Sequence, residues 1–540
     1  MDVCPQNSFG AHPWQATLPS IMMELKDEFL LANSTNALCH QPVRKKLTTE
    51  TLFMLFAILL FVILTLIRSA LSVYERCKAI GKETHSSISE RKEKAADGAT
   101  YAEEEKKLFE TSIYAVFLTN LKKILDCFCI KSNARRILNT VSTQEQLSSL
   151  HGIRAIIVIW VLLGHVSMLY LSAVKTPDKV QLTLDLQGTQ IIKNTIFIVD
   201  TFLVLSGFLN GYLFSQHYEE KKGNISWLLF YVHRFVRITP MYFIVLGFYS
   251  TLFPYLSSGP VWPTYNTNPV CKENWMWHVL FINNFNSHMR QCLTPTWYLA
   301  CEMQLYIISP IFLILLMRRT KIGYVLIFLC IYGSCFINFI FTKQDELIDG
   351  PQRLAEYYST DLKDFQRRNW EYFDILYSKP YSRLGTFLIG IALGYYLFQK
   401  KATTIKRRSQ AMLSLGWTMA AIFMWISLFA LYGREESVLE IAVYNGLKHV
   451  LFSISVAWII FVCVTGQGGF FNRFLSSKIF IVISRLSYTI YLTHMVILEG
   501  YFLAKKDLID HSTGAYGGVL TMVCIVFFLR KLFLIEGGAE

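Results

Sequence analysis

The sequence predicts an all-α fold, a polytopic transmembrane helical bundle of about eleven spans. Three observations predict it. Of the 540 residues 53% are hydrophobic and only 17% are charged, below the quarter usual for soluble domains. Eleven mostly apolar runs approach the ~20 residues that cross a bilayer. Lys and Arg concentrate in alternate connections between those runs.

The runs are 51–67, 155–173, 194–215, 238–255, 297–317, 322–342, 381–398, 411–432, 443–464, 479–498 and 516–529, the first and last being short. Lys448 falls inside the ninth, where its long stem is expected to snorkel towards the interface. The connections 216–237, 318–321 and 399–410 are basic and fall on one side if the spans alternate. That side is cytosolic, which places the N-terminus outside and the C-terminus inside. The acidic connection 433–440 (GREESVLE) then falls outside. Arg44, Lys45 and Lys46 run against this rule and are outweighed by the later loops. The net charge of +13 follows from topology and anionic lipid contact, so nucleic acid is not invoked as a partner.

Five divisions follow. Residues 1–50 form a short extracytosolic tail, 51–67 the first transmembrane helix, and 68–148 a cytosolic linker with an amphipathic segment. Residues 149–534 form the multi-span membrane domain and 535–540 a cytosolic tail. In the linker, 82–107 is mixed-charge and poor in large apolar residues, whereas 108–130 alternates apolar and polar groups and suits a surface helix. The twelve cysteines show no metal-like pairs, and no metal site is expected. Cys271 and Cys292 bracket the Trp-rich outside segment NWMWHVLFINNF and are expected to pair as a disulfide, the alternatives being two free thiols or pairing with Cys4 or Cys39. Asn33 begins an outside glycosylation sequon, Asn33-Ser34-Thr35.

Ionisable groups at membrane depth mark function by default. Arg154 opens the second span and His165 lies eleven residues on, within about 20° of the same helical face and about 16 Å further along the axis. Asp200, Glu302 and His494 are placed at a similar depth on the third, fifth and tenth spans. Two imidazoles and two carboxylates in one stratum suit acid–base work. The competing readings are ordinary: an interhelical hydrogen bond for a lone His, a structural partner for Asp200, a positive-inside anchor for Arg234 and Arg237. Gly207, Gly211, Gly390 and Gly394 read as close-packing faces.

These residues also carry a resemblance. Arg154-x10-His165, FLVLSGFL at 202–209, RFVRITP at 234–240, TWYLACEMQLY at 296–306, SRLGTFLIGIALGYY at 382–396 and SYTIYLTH at 487–494 resemble the ordered blocks of the membrane acyltransferase type 3 superfamily. The nearest branch is the animal "nose resistant to fluoxetine" group. The resemblance implies transfer of an acyl group from a cytosolic donor such as acyl-CoA to a lipid or other acceptor, with no bound cofactor. Lipids and a hydrophobic acceptor are the implied partners, in the plasma membrane or endoplasmic reticulum. Members of the branch are associated with moving lipids and hydrophobic drugs. They usually begin with a signal peptide and a longer cysteine-bearing luminal domain, whereas here the first span starts at residue 51. On this reading Arg154, Arg234 and Arg237 hold donor phosphates. His165 is the base or nucleophile, Asp200 or Glu302 fixes its tautomer, and His494 completes the set. The alternative is a non-enzymatic transporter of lipids or hydrophobic xenobiotics, with the buried charges as a proton relay.

Overall fold

The computed structural model describes residues 45–89, 113–140, 147–175, 187–259, 261–350, 362–400, 409–432 and 437–505, with positions 507, 509, 510 and 518. Asn33, Cys4, Cys39, the segment 516–529 apart from Gly518, and residues 401–408 and 433–436 of the connections lie outside the described residues. The described residues are helical and contain no strand; the one β-bridge joins Val174 to Ile509.

The chain divides into two compact units. The smaller contains α1 (Thr49–Ser89), α2 (Ile113–Asp126) and α3 (Ile130–Leu138). α1 carries the first apolar run and continues past it into charged sequence. The turn between α2 and α3 is held to α1 by Arg68, whose Nε donates to Asp126 Oδ1 at 2.7 Å.

The larger unit holds α4 (Ser148–Ser172), α5 (Ile198–Glu220), α6 (Trp227–Thr251), α7 (Pro269–Val279), α8 (Trp297–Arg318) and α9 (Thr320–Gln344). It continues with α10 (Leu362–Tyr372), α11 (Pro380–Gln399), α12 (Gln410–Phe429), α13 (Val438–Val464), α14 (Gly469–Leu475) and α15 (Lys478–Leu503). Among the described residues nine helices are long and apolar enough to cross a membrane, and they coincide with nine of the eleven expected runs. The expected run 381–398 is α11. It is helical, but Arg383 and its small residues make it less apolar, and it is sheathed by protein: Arg383, Gly385, Thr386, Phe387, Leu388 and Ile391 are all buried.

Glycine decides how α11 is sheathed. A Cβ added at Gly390 would stand 2.3 Å from Val204 O, one at Gly394 2.3 Å from Phe208 O, and one at Gly207 2.1 Å from Phe387 O. α5 and α11 therefore touch backbone to backbone, which only hydrogen side chains permit. Close approach lets α5 and α11 bury Asp200 and Arg383 together. α4 packs along α15, where His151 Nδ1 lies 2.9 Å from Ser484 Oγ. α13 starts with a capping box from Ser437 and Glu440. α6 and α8 keep Pro240 and Pro310 inside, as membrane helices tolerate.

Candidate active site

His165 and His494 meet between α4 and α15. Their ring centroids are 4.8 Å apart at an interplanar angle of 61°. His165 Nδ1 lies 3.0 Å from Val161 O, and His494 Nδ1 lies 2.6 Å from Tyr491 O, each a carbonyl of its own helix. A carbonyl can only accept, so each Nδ1 carries a proton, and in the neutral ring Nε2 is the nitrogen with the lone pair. His494 Nε2 has no hydrogen-bond partner among the described residues. Two imidazole rings thus stand side by side in the interior. Counting from the helix ends, His165 is seven residues from Ser172 and His494 nine from Leu503. Both lie nearer the end at which α4 and α15 finish, about 10 and 14 Å from it.

A row of rings leads from this pair to a cationic cluster. Tyr491 lies 6.0 Å from His494 and 5.7 Å from Tyr298 by ring centroids. The Tyr491 hydroxyl bonds Pro295 O. Tyr298 is within electrostatic reach of both Arg234 and Arg154, and Arg154 senses Arg237 and Arg234. The three arginines expected to hold donor phosphates therefore do gather. Arg154 and Arg234 are partly buried and Arg237 is exposed.

The four residues expected in one stratum are not one group. Glu302 forms an ion pair with Arg234 and accepts from Ser206 Oγ at 2.6 Å, while Arg234 lies over the Tyr306 ring at 5.0 Å. Counting residues from each helix end put Arg234 at the cytosolic face and Glu302 far above it. The helix α6 begins at Trp227 rather than near 238, so Arg234 lies seven residues, about 10 Å, inside it and reaches Glu302. Asp200 is likewise elsewhere. Its Oδ1 accepts from Arg383 Nη1 at 2.7 Å and its Oδ2 lies 2.7 Å from His449 Nδ1, all three residues being buried. The expectation that Asp200 or Glu302 fixes the tautomer of His165 is thus corrected. Each carboxylate is engaged by a guanidinium, and the carbonyl of Val161 does that task.

The Asp200 network was missed in part by the sequence reading. Arg383 also donates through Nε to Tyr377 O at 3.0 Å and lies on the Tyr377 ring at 4.5 Å. Lys448 does not snorkel. It is 1% exposed, donates to Asp349 O at 2.7 Å, and faces the rings of Tyr372 and Tyr444 at 4.9 and 5.0 Å. The available signal was the adjacent pair Lys448-His449 in mid-helix with Arg383 at a span start. A buried Asp200 needs a cation, and those were the ones at hand.

In the connection 256–296 the sulfurs of Cys271 and Cys292 are bonded, with Cα atoms 4.4 Å apart. Asn268 caps α7 by accepting from Cys271 N at 3.2 Å, with Pro269 at the first turn. The buried His278 bridges this loop to α6, its Nδ1 2.7 Å from the Tyr242 hydroxyl. Burial pushes the His278 imidazole down to about 4. Trp275, Met276, Trp277 and Leu280 of the same segment are exposed, a composition that suits the bilayer interface.

Among the described residues no cluster of His, Cys, Asp and Glu has the makings of a metal site. No solved structure matches the chain. The chain is 29% identical over 418 residues to "Nose resistant to fluoxetine protein 6" of Caenorhabditis elegans, covering 72% of this chain and 50% of that protein. It is 27% identical to "Regulator of hypoxia-inducible factor 1" of the same organism, over 54% of this chain and 58% of that one. It is 24% identical to "O-acetyltransferase OatA" of Staphylococcus aureus, over 68% of this chain and 53% of that one. The chain therefore spans about half the length of the curated relatives it matches. The profile described as "Acyltransferase domain" matches residues 147–530, the stretch from the start of α4 onward that carries both histidines and the arginine cluster. On that match the chain belongs to the acyltransferase type 3 family of multi-pass membrane proteins.

Proposed function

We propose that this protein transfers an acyl group from a cytosolic donor, such as acyl-CoA, to a hydroxyl or amine of a lipid or other hydrophobic acceptor. The observation that supports it best is the His165–His494 pair, two imidazoles with Nδ1 committed to helix carbonyls and Nε2 left basic. Nε2 of His165 takes the proton of the acceptor hydroxyl as its oxygen attacks the acyl carbonyl. The carbon–sulfur bond of the donor breaks, and the proton passes back to the departing thiolate. Arg154 and Arg237 hold the donor phosphates, and Arg234, tied to Glu302, sets the wall of that cluster. Arg154 and His165 are about 16 Å apart along one helix, a span an extended pantetheine arm covers. His494 positions His165 and limits its environment to one open nitrogen. Asp200 serves the packing of α5, α11 and α13.

The test is acyl-CoA turnover by purified variants in lipid, with thermal stability followed in parallel. His165→Ala and His165→Gln are expected to lower turnover by about 10² to 10⁴ while the protein still folds. Near-normal turnover by His165→Ala sinks the assignment. A second reading, non-enzymatic transport of lipids or hydrophobic xenobiotics, draws on the buried Asp200–Arg383–His449 network with Lys448 beside it, since ionisable groups at this depth also serve proton relays. Lipid movement across a bilayer by a wild-type protein that turns over no acyl-CoA decides for that reading.

A further inference from the structure

The turn between α2 and α3 in the smaller unit lies outside the stretch 147–530 that matches the acyltransferase profile. Its position along α1 is set by four contacts. Arg68 Nε reaches Asp126, Lys122 Nζ lies 3.2 Å from Glu75, and Ile130 N donates to Ser69 Oγ at 3.2 Å. The fourth is apolar: the Phe128 ring lies 5.9 Å from that of Phe61. Phe61 is seven residues inside Arg68, the first charge after the apolar run of α1, so the Phe128 ring reaches from the level of Arg68 and Ser69 towards the apolar run. The boundary between charged and apolar sequence is where interfacial helices bury their apolar face.

The charge pattern matches this boundary. Residues 120–139 hold five cations (Lys122, Lys123, Lys131, Arg135, Arg136) and one carboxylate, Asp126, a net of 5 − 1 = +4. Asp126 is consumed by Arg68 and Lys122 by Glu75. On α3 the angular positions, at about 100° per residue, group Ile130, Ala134, Ile137 and Leu138 on one face and Lys131, Arg135 and Arg136 around the other. Ile124, Ile130 and Leu138 are exposed, as is Arg135. An exposed apolar face bordered by cations, fixed against the cytosolic end of a spanning helix, complements one surface: an anionic leaflet.

We propose that the α2–α3 turn is a binding site for anionic phospholipid on the cytosolic leaflet, with Lys131, Arg135 and Arg136 contacting headgroups and Phe128, Ile130 and Leu138 entering the acyl boundary. The test uses full-length protein in lipid nanodiscs, of phosphatidylcholine alone or mixed with phosphatidylserine. Hydrogen–deuterium exchange is read on peptides covering 120–139. Phosphatidylserine is expected to slow exchange there, and Lys131→Gln/Arg135→Gln/Arg136→Gln to abolish the slowing. Each cation contributes about fivefold to surface partitioning, so the triple variant weakens it by up to about 10². Should the triple variant not fold, Arg135→Gln alone is expected to weaken the phosphatidylserine effect about fivefold. Equal exchange in the two lipids overturns the proposal, as does undiminished slowing in the variant. Equal slowing in phosphatidylcholine discs on adding soluble glycerophosphoserine overturns it too, since a free-anion site rather than a leaflet would then be present.

Discussion

At the scale of single residues, the site rests on how each polar group at membrane depth is satisfied. His165 and His494 use their own helices, and Asp200 and Glu302 use arginines. This separates two kinds of variant. Arg154, near Arg234 and Arg237, is expected to act on donor binding. Arg154→Ala should raise the KM for acyl-CoA more than it lowers kcat, and Arg154→Lys should rescue only in part, because an ammonium lacks the planar fork. Steady-state kinetics with varied acyl-CoA checks this, and an unchanged KM in Arg154→Ala counts against it. His278 gives a pH prediction outside the spans. Its folded value lies at about 4, below the usual ~6.5, so between those values the unfolded chain binds the proton and the folded chain does not. Stability contributed by neutral His278 is thus present above pH ~6.5 and lost as pH falls towards about 4. Local exchange of the α7 loop should rise across that window, and His278→Gln should flatten the dependence. An unchanged profile in the variant refutes the link.

At the scale of elements, the α5–α11 contact carries the interior. Gly207, Gly211, Gly390 and Gly394 remove the side chains that would hold the helices apart, and the approach closes Asp200 onto Arg383. Gly390→Ala places a methyl group 2.3 Å from Val204 O, a backbone atom that cannot swing aside. It is expected to destabilise by about 1–3 kcal/mol, the usual cost of overpacking, and to lower the melting temperature in detergent. Gly333→Ala, with no atom within 4 Å of the added methyl, is the matched control. Equal melting temperatures for the two variants would falsify the close-contact account.

At the scale of the whole molecule, the basic stretches 216–237, 318–321 and 399–410 predict the direction of each helix, the first of them lying mostly within the ends of α5 and α6. The one conflict, cations before the first span, has a structural counterpart in the larger unit. Lys45 donates to Pro254 O and Pro263 O, and the Tyr255 hydroxyl donates to Lys46 O. The backbone at 45–46 thus lies beside the connection that the positive-inside rule places outside, and Lys45 is taken up by carbonyls there. Glycosylation reporters inserted at 404 and 435 test the orientation. Modification is expected at 435 and not at 404, and the opposite pattern inverts the topology.

The sequence by itself determined the all-α class, nine of the spanning helices and the glycine faces. Hydrophobic length and small-residue spacing are local properties that the bilayer reads directly. It also singled out His165 and His494, because an ionisable group in an apolar run stands out without any knowledge of its neighbours, and Arg154, Arg234 and Arg237 through the motifs that carry them at the ends of the runs. Which of these groups meet was decided only by the tertiary structure. Asp200 and Glu302 were readable as buried acids, yet their partners Arg383, His449 and Arg234 come from distant helices whose ends are staggered. Lys448 was read as an interfacial cation because its helix alone offers no partner, whereas the fold supplies Asp349 O and two tyrosine rings. Pairing in a low-dielectric interior is settled by helix packing, since each charge must find its complement where the bundle closes.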